Sequence, residues 1–197
     1  MIKKVGVTGA IGSGKTTFCK ILEELGAKVF FADDEAKRLM AQNVELKLQL
    51  VDAFGKNTYL PDGTLNKPHL IREAFEKGKV EKLNSIVHPA VSGEFKRFTK
   101  KAAEEGFSIV IKEAALLLNS GRPAELDVVI IITSDREKRV NRVIRRDNTS
   151  EKAILDRDSN QPDFDRLSHL ADYVIENNGT IEELRYKAES LFESLIQ

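Results

Sequence analysis

A single cysteine, Cys19, stands among the 197 residues, so no disulfide can form within the chain. This points to a reducing compartment, with Cys19 a small core residue in a helix beside Phe18. Surplus charge is absent as well. Lys plus Arg and Asp plus Glu both number 31, which argues against a global basic field for nucleic acid and against an acidic bias toward disorder. Any anionic ligand must then be held by local charge. Long apolar runs are missing: Met1-Ile2-Lys3-Lys4 leads into only a few apolar residues before glycines intervene, too short for a secretion signal or a bilayer span. No repeat or low-complexity tract interrupts the chain, and its five prolines are scattered. The expectation is a cytoplasmic protein of one domain with a sizeable core and room for an inserted subdomain.

What is present centres on Gly9-Ala10-Ile11-Gly12-Ser13-Gly14-Lys15-Thr16, a G-x-x-x-x-G-K-[ST] stretch between a strand-like Ile2 to Val7 and a helical pattern. Glycines let successive N–H groups turn toward phosphate oxygens, and the helix starting near Lys15 adds its dipole and unpaired N–H groups at the same point. Lys15 is placed to neutralise the β- and γ-phosphates of a nucleotide and the Thr16 hydroxyl to ligate Mg²⁺, with Gly12, Ser13, Gly14 and Thr17 completing the loop. The alternative is an ordinary glycine-rich turn with a solvated lysine.

Phe18, Ile21, Leu22 and Leu25 then recur at helical spacing up to Gly26, and Lys28 to Phe31 fits a second buried strand. Asp33 follows it, a candidate general base because ligands of open α/β sheets lie beyond the carboxyl ends of the strands. It equally suits a helix N-cap, a role Asp34 could fill instead. Residues 45–106 show successive helical periodicities with no convincing strand, broken by turns at Gly55, Pro61-Asp62-Gly63 and His88-Pro89. They read as a helical insertion within a core of residues 1–44 and 107–197. Phe107 to Ile111 is a third strand ending at Lys112-Glu113, where Glu113 is either a metal-associated acid or a salt-bridged strand end. Val128 to Thr133 is a fourth strand and Tyr173 to Glu176 a fifth, before a terminal helix from Thr180. Between these two strands, residues 136–166 are basic. Arg139, Arg142 and Arg146 share one side of a helix and Val140, Val143 and Ile144 can face a core, an arrangement that is either a solvated face or a lid closing over triphosphate. Five strands alternating with helices specify an α/β doubly wound parallel sheet whose strand order cannot be read.

With these pieces placed, the chain resembles the dephospho-coenzyme A kinase family of P-loop kinases over nearly its full length. The resemblance rests on Val7 to Thr17, Ala32-Asp33, Phe54-Gly55, Asp62 to Asn66, His88-Pro89, Leu116-Leu117, Arg142, Arg146-Asp147, Gln161, Ala171-Asp172, Asn177 and Gly179. It implies transfer of the ATP γ-phosphoryl group to the ribose 3′-hydroxyl of dephospho-coenzyme A, with ATP and Mg²⁺ as cofactors. Asp33 is then the base, assisted by Lys15 and Arg142; the loop with Arg139, Arg146, Asn177 and Gly179 holds the nucleotide. Lys67, His88, Leu116 and Asp33 meet the acceptor, and Thr16 and Glu113 the metal. The insertion is implied to be the acceptor-binding element, and partners other than the small-molecule substrate are not expected: no nucleic acid, no membrane, and a monomer or small homo-oligomer. Four positions depart from the family pattern, which has aspartate at Phe31, arginine at Lys67, proline at Ala115 and glutamate at Asn119.

Two other readings stay open. One is another small-molecule or nucleoside monophosphate kinase on the same scaffold. The other is a nucleotide-dependent switch, although the guanine-reading Asn-Lys-x-Asp is absent.

Overall fold

Parallel strands covered on both faces need nearly continuous apolar runs, and such runs form the centre of this structure. A computed structural model describes residues 2–148, 150–159 and 161–196, and of Arg157 the backbone only. In chain order the elements begin with strand β1 (Lys3–Thr8), helix α1 (Lys15–Glu24), strand β2 (Lys28–Phe31) and helices α2 (Ala32–Gln42), α3 (Val44–Phe54), α4 (Lys67–Ile71) and α5 (Val80–Glu104). Strands β3 (Ile109–Glu113) and β4 (Val128–Thr133) follow, then α6 (Arg136–Asp147), α7 (Glu151–Ser159), α8 (Phe164–Leu167), β5 (Tyr173–Glu176) and α9 (Ile181–Ile196). All five strands are parallel, in the order β2-β3-β1-β4-β5. The chain builds one side of β1 first and then crosses to the other. The loop after β1 therefore lies where strand order reverses, the place at which such sheets bind ligands.

Alternation decides which face each side chain takes. Val5 and Val7, Ile109 and Ile111, and Ile130 and Ile132 turn one way and pack with Phe18, Cys19 and Leu22 of α1. Leu184, Ala188, Leu191 and Leu195 of α9 close over this layer, spaced as one face of a helix. On the other face a Cβ on Gly6 would meet Leu126 Cδ1 at 2.6 Å and Leu117 Cδ2 at 2.7 Å, so the segment between β3 and β4 lies directly on β1.

β3 lies two residues further along than its predicted span. Phe107 is taken by the end of α5: its N–H bonds to Ala102 O and that of Gly106 to Ala103 O, with Gly106 at φ +88°, the left-handed stop a helix C-terminus favours. Pairing starts instead with Lys3 opposite Ile109, which brings Lys112 and Glu113 inside the strand.

Two compact units divide the chain, residues 1–31 with 99–197, which hold the sheet, and residues 32–98. The second starts at 32, where the sequence pattern places the break at 45. Helix α2 is tied to the later helices of its own unit. Tyr59 Oη donates to Met40 O at 2.7 Å, Arg38 lies 3.7 Å from Glu94, and Asn43 caps α3 through Leu46 N. Burial pushes the Tyr59 hydroxyl up to about 12. At the far end, Glu105 pairs with Lys28 of β2, so the last turn of α5 goes with the sheet. Among the described residues no helix is long and apolar enough to cross a membrane.

One expected turn is not there. His88 and Pro89 sit inside α5, which continues through them. The reason is a buried stripe of Val87, Val91, Phe95 and Ala102, whose helical spacing runs across the proline. Burying these side chains at roughly 1.5–3 kcal/mol each outweighs the cost of an interior proline, about 3 kcal/mol. Pro89 is exposed and leaves the Ser85 carbonyl without its helical N–H. Replacing it, Pro89→Ala, restores that donor and is expected to raise stability by about 1–2 kcal/mol after the gain in unfolded-chain entropy. A urea midpoint that fails to rise would show that the helix needs the proline.

Candidate active site

Residues 9–14 join the central strand to α1, and the loop is packed from outside so closely that side chains are excluded. A Cβ on Gly12 would lie 2.5 Å from Arg139 O, and one on Gly14 2.2 Å from Asn177 Nδ2, both at positive φ (+77° and +101°). Gly14, left-handed, opens α1, whose first turn carries no acidic residue to neutralise its dipole. Lys15 is buried, with Nζ donating to Gly9 O at 2.9 Å and to Ala10 O at 3.3 Å. Ser13 Oγ is, alone among the buried side-chain polar atoms of the described residues, without a hydrogen-bond partner. An orphaned donor inside a glycine loop at a helix N-terminus fits a phosphate oxygen.

The metal candidates also meet. Glu113, buried at the end of β3, is in register with Val7 of β1 and Phe31 of β2, and its Oε2 is 3.5 Å from Thr16 Oγ1. No group of three or more His, Cys, Asp or Glu positioned for a metal exists among the described residues. Thr16 Oγ1 and the Glu113 carboxylate are hard oxygen donors, the kind Mg²⁺ takes together with water and phosphate oxygens.

Three consecutive carbonyls of the loop are held from outside. Arg139 Nη1 donates to Ile11 O (3.2 Å), Arg142 Nη1 to Gly12 O (3.4 Å) and Asn177 Nδ2 to Ser13 O (2.7 Å). Gln161 Oε1 accepts from Ile11 N at 2.6 Å. Arg142 also reaches Ser134 Oγ and Asn177 O, and Arg139 pairs with Asp158 at 2.5 Å. Val140 and Val143 of the same helix are buried, as the pattern predicts. Arg146 is not brought to the loop: it is exposed, one turn further on, and bonds Asp147 at 2.6 Å. A Cβ on Gly179 would meet Glu183 Oε2 at 1.8 Å, the far end of an exposed side chain that can swing aside. Beside the loop a cavity of about 640 Å³ is lined by Ala10, Ser134, Arg136, Asp158, Phe164 and Asn178, among others. Asp158, Ser134 and Asn178 carry no motif and were not legible as site residues; only their company with the loop marks them.

The acceptor candidates are distributed differently. Asp33 is exposed in the first turn of α2. Neither it nor Asp34 is an N-cap, because the helix starts at Ala32 directly from β2, and Asp34 pairs with Lys37 at 2.7 Å. Carboxylates there gain from the helix dipole. Lys67 opens α4 and His88 lies on α5, both exposed and in the 32–98 unit, whereas Leu116, half exposed, follows β3 in the sheet unit. The same helical unit holds a buried histidine that sequence reading passed over: His69 Nε2 donates to Phe54 O (2.9 Å), leaving Nδ1 for Arg72 (3.2 Å).

A family model described as dephospho-CoA kinase matches residues 3–183. The chain belongs to the dephospho-CoA kinase family. Among its relatives, the dephospho-CoA kinase of Salinibacter ruber is 43% identical over 189 residues, 95% of each chain. That of Chlorobium chlorochromatii is 37% identical, covering 98% of this chain and 93% of the other. A crystal structure from Thermus thermophilus superposes with a TM-score of 0.78 at 27% identity over 98% of both chains.

Of the four positions that depart from the family pattern, Lys67 opens α4 and the other three lie at the end of β2 or after β3. Phe31 ends β2, half buried; the Ala115 carbonyl accepts from Thr8 Oγ1 at 3.3 Å; Asn119 is exposed in the segment after β3. This family member also buries its one thiol. Burial pushes the Cys19 thiol well above its usual value, and the nearby Glu113 carboxylate pushes it further. The folded protein is expected to resist iodoacetamide at pH 8 and to label rapidly in denaturant, because the thiolate is the reactive form; rapid labelling of folded protein would contradict the closed packing around α1.

Proposed function

We propose that this chain transfers the γ-phosphoryl group of ATP to the ribose 3′-hydroxyl of dephospho-coenzyme A, giving coenzyme A and ADP, the last step of coenzyme A synthesis, in the cytoplasm. The observation that carries it is the glycine loop with its buried Lys15 and unpartnered Ser13 Oγ, in a chain matched to the dephospho-CoA kinase family over residues 3–183. Coenzyme A chemistry comes from the family; phosphoryl transfer comes from the loop.

Positioning and charge neutralisation account for most of the catalysis in such transfers. Gly12, Ser13, Gly14, Lys15, Thr16 and Thr17 bind the nucleotide phosphates. Lys15 gives up its loop carbonyls for phosphate oxygens. Thr16 and Glu113 would hold Mg²⁺, which when bound would supply charge neutralisation to the nucleotide phosphates. Asp33 takes the proton of the acceptor hydroxyl as its oxygen bonds to phosphorus and the bond to the β-phosphate oxygen breaks. Arg139 and Arg142 act first on the loop, whose carbonyls they hold, with Arg146 free to swing toward the phosphates. Lys67, His88 and Leu116, in the acceptor-binding role, recognise dephospho-coenzyme A. The protein acts as a monomer or small homo-oligomer.

ADP release with and without dephospho-coenzyme A, together with the product mass, tests this reading. Turnover that depends on the acceptor and adds one phosphate is the expected result. Hydrolysis indifferent to the acceptor would reject it. In a folded Asp33→Asn variant kcat is expected to fall by about 10²–10⁴ with ATP binding retained; full activity would remove Asp33 from the base role.

A further inference from the structure

We propose that Asn177 is a positioning residue that sets the curvature of the phosphate loop through Ser13, and does not contact the base of the nucleotide. This rests on reading residues 9–16 as the ATP phosphate site. Asn177 is the first residue after β5, and the family resemblance implies only that it helps hold the nucleotide. Its side chain is used elsewhere. It is 7% exposed, and Nδ2 donates to Ser13 O at 2.7 Å across 164 residues of sequence. Its backbone is pinned on both sides: N–H to Thr133 O of β4 at 2.8 Å, and C=O from Arg142 Nη2 of α6 at 2.9 Å. Three segments thus fix the amide relative to the end of the sheet.

The residue it holds is the one whose hydroxyl is buried and unpartnered, Ser13. A peptide whose carbonyl is pulled outward presents the following N–H, that of Gly14, inward. The space beside Gly14 belongs to the same amide, since a Cβ there would sit 2.2 Å from Nδ2. Asn177 therefore shapes the loop at two consecutive residues, immediately before the N-terminus of α1. Losing Nδ2 leaves the Ser13 carbonyl without this donor and lets the peptide rotate. The cost falls on any ligand that needs the loop's N–H groups, whether or not it has a base.

Calorimetric binding of Mg-tripolyphosphate and of Mg-ATP to the whole protein separates the two roles, because tripolyphosphate has no base or ribose. In Asn177→Ala both dissociation constants are expected to rise by the same factor, about tenfold. Asn177→Asp keeps the size of the side chain and removes the donor, and serves if the alanine variant does not fold. Weakened ATP binding with unchanged tripolyphosphate binding would overturn the proposal and return Asn177 to the base. A fall in thermal stability with both affinities intact would overturn it equally, as a purely structural contact. If the unsubstituted protein binds neither ligand, the phosphate-site reading itself fails.

Discussion

A peptide group points its N–H and its C=O in opposite directions, so a backbone that gathers N–H groups around an anion must dispose of the carbonyls on its outer side. In this chain that requirement organises much of the molecule. The carbonyls of Ile11, Gly12 and Ser13 meet Arg139, Arg142 and Asn177, which come from α6 and from the end of β5. The order β2-β3-β1-β4-β5 places β1 at the centre, with β4 at its side and β5 next to β4, so that both donors' elements emerge beside the loop. The helix read as part of a lid is, at its first two turns, the outer wall of the glycine loop.

The same division between inner and outer faces explains why arginine serves in the wall. A guanidinium offers five N–H donors in a fixed plane and no acceptor. Arg142 spreads its donors over Gly12 O, Ser134 Oγ and Asn177 O; Arg139 spreads its own over Ile11 O, Ser134 O and Asp158. Two side chains thereby join the loop, the end of β4, the residue after β5 and α7. Lysine, with one nitrogen, could not hold three segments at such angles. Lys15, inside the loop, is a single charge on a flexible stem, held by the carbonyls of Gly9 and Ala10.

Local signals were read well where one pattern ruled alone. β4 is apolar nearly throughout and occupies its predicted span, and α9 follows the predicted start after Thr180 and buries one face through Leu184, Ala188, Leu191 and Leu195. Where two local rules met, the stronger had to be found in the packing. At Pro89 a breaker signal competed with the stripe through Val87, Val91 and Phe95, and burial won. At Asp33 and Asp34 a capping residue type stood next to a strand that passes into helix without an intervening turn, so no cap position exists. Strand order, and with it the partners of Asn177, depends on contacts between residues tens to more than a hundred positions apart. No neighbouring residues encode that, and the site's ligand-facing half was therefore more legible than its supporting half.

The central place of β1 has a consequence for how the protein is made. Its two sheet neighbours begin at Ile109 and Val128, so the N-terminal strand leaves the ribosome long before either partner exists. The loop's outer supports come later still, with Arg139, Arg142 and finally Asn177. Contacts of such long sequence separation form slowly, because loop closure costs entropy before pairing rewards it. The nucleotide site, encoded first, is completed among the last, and a nascent or truncated chain ending before residue 177 would have its phosphate loop sequence without a phosphate loop.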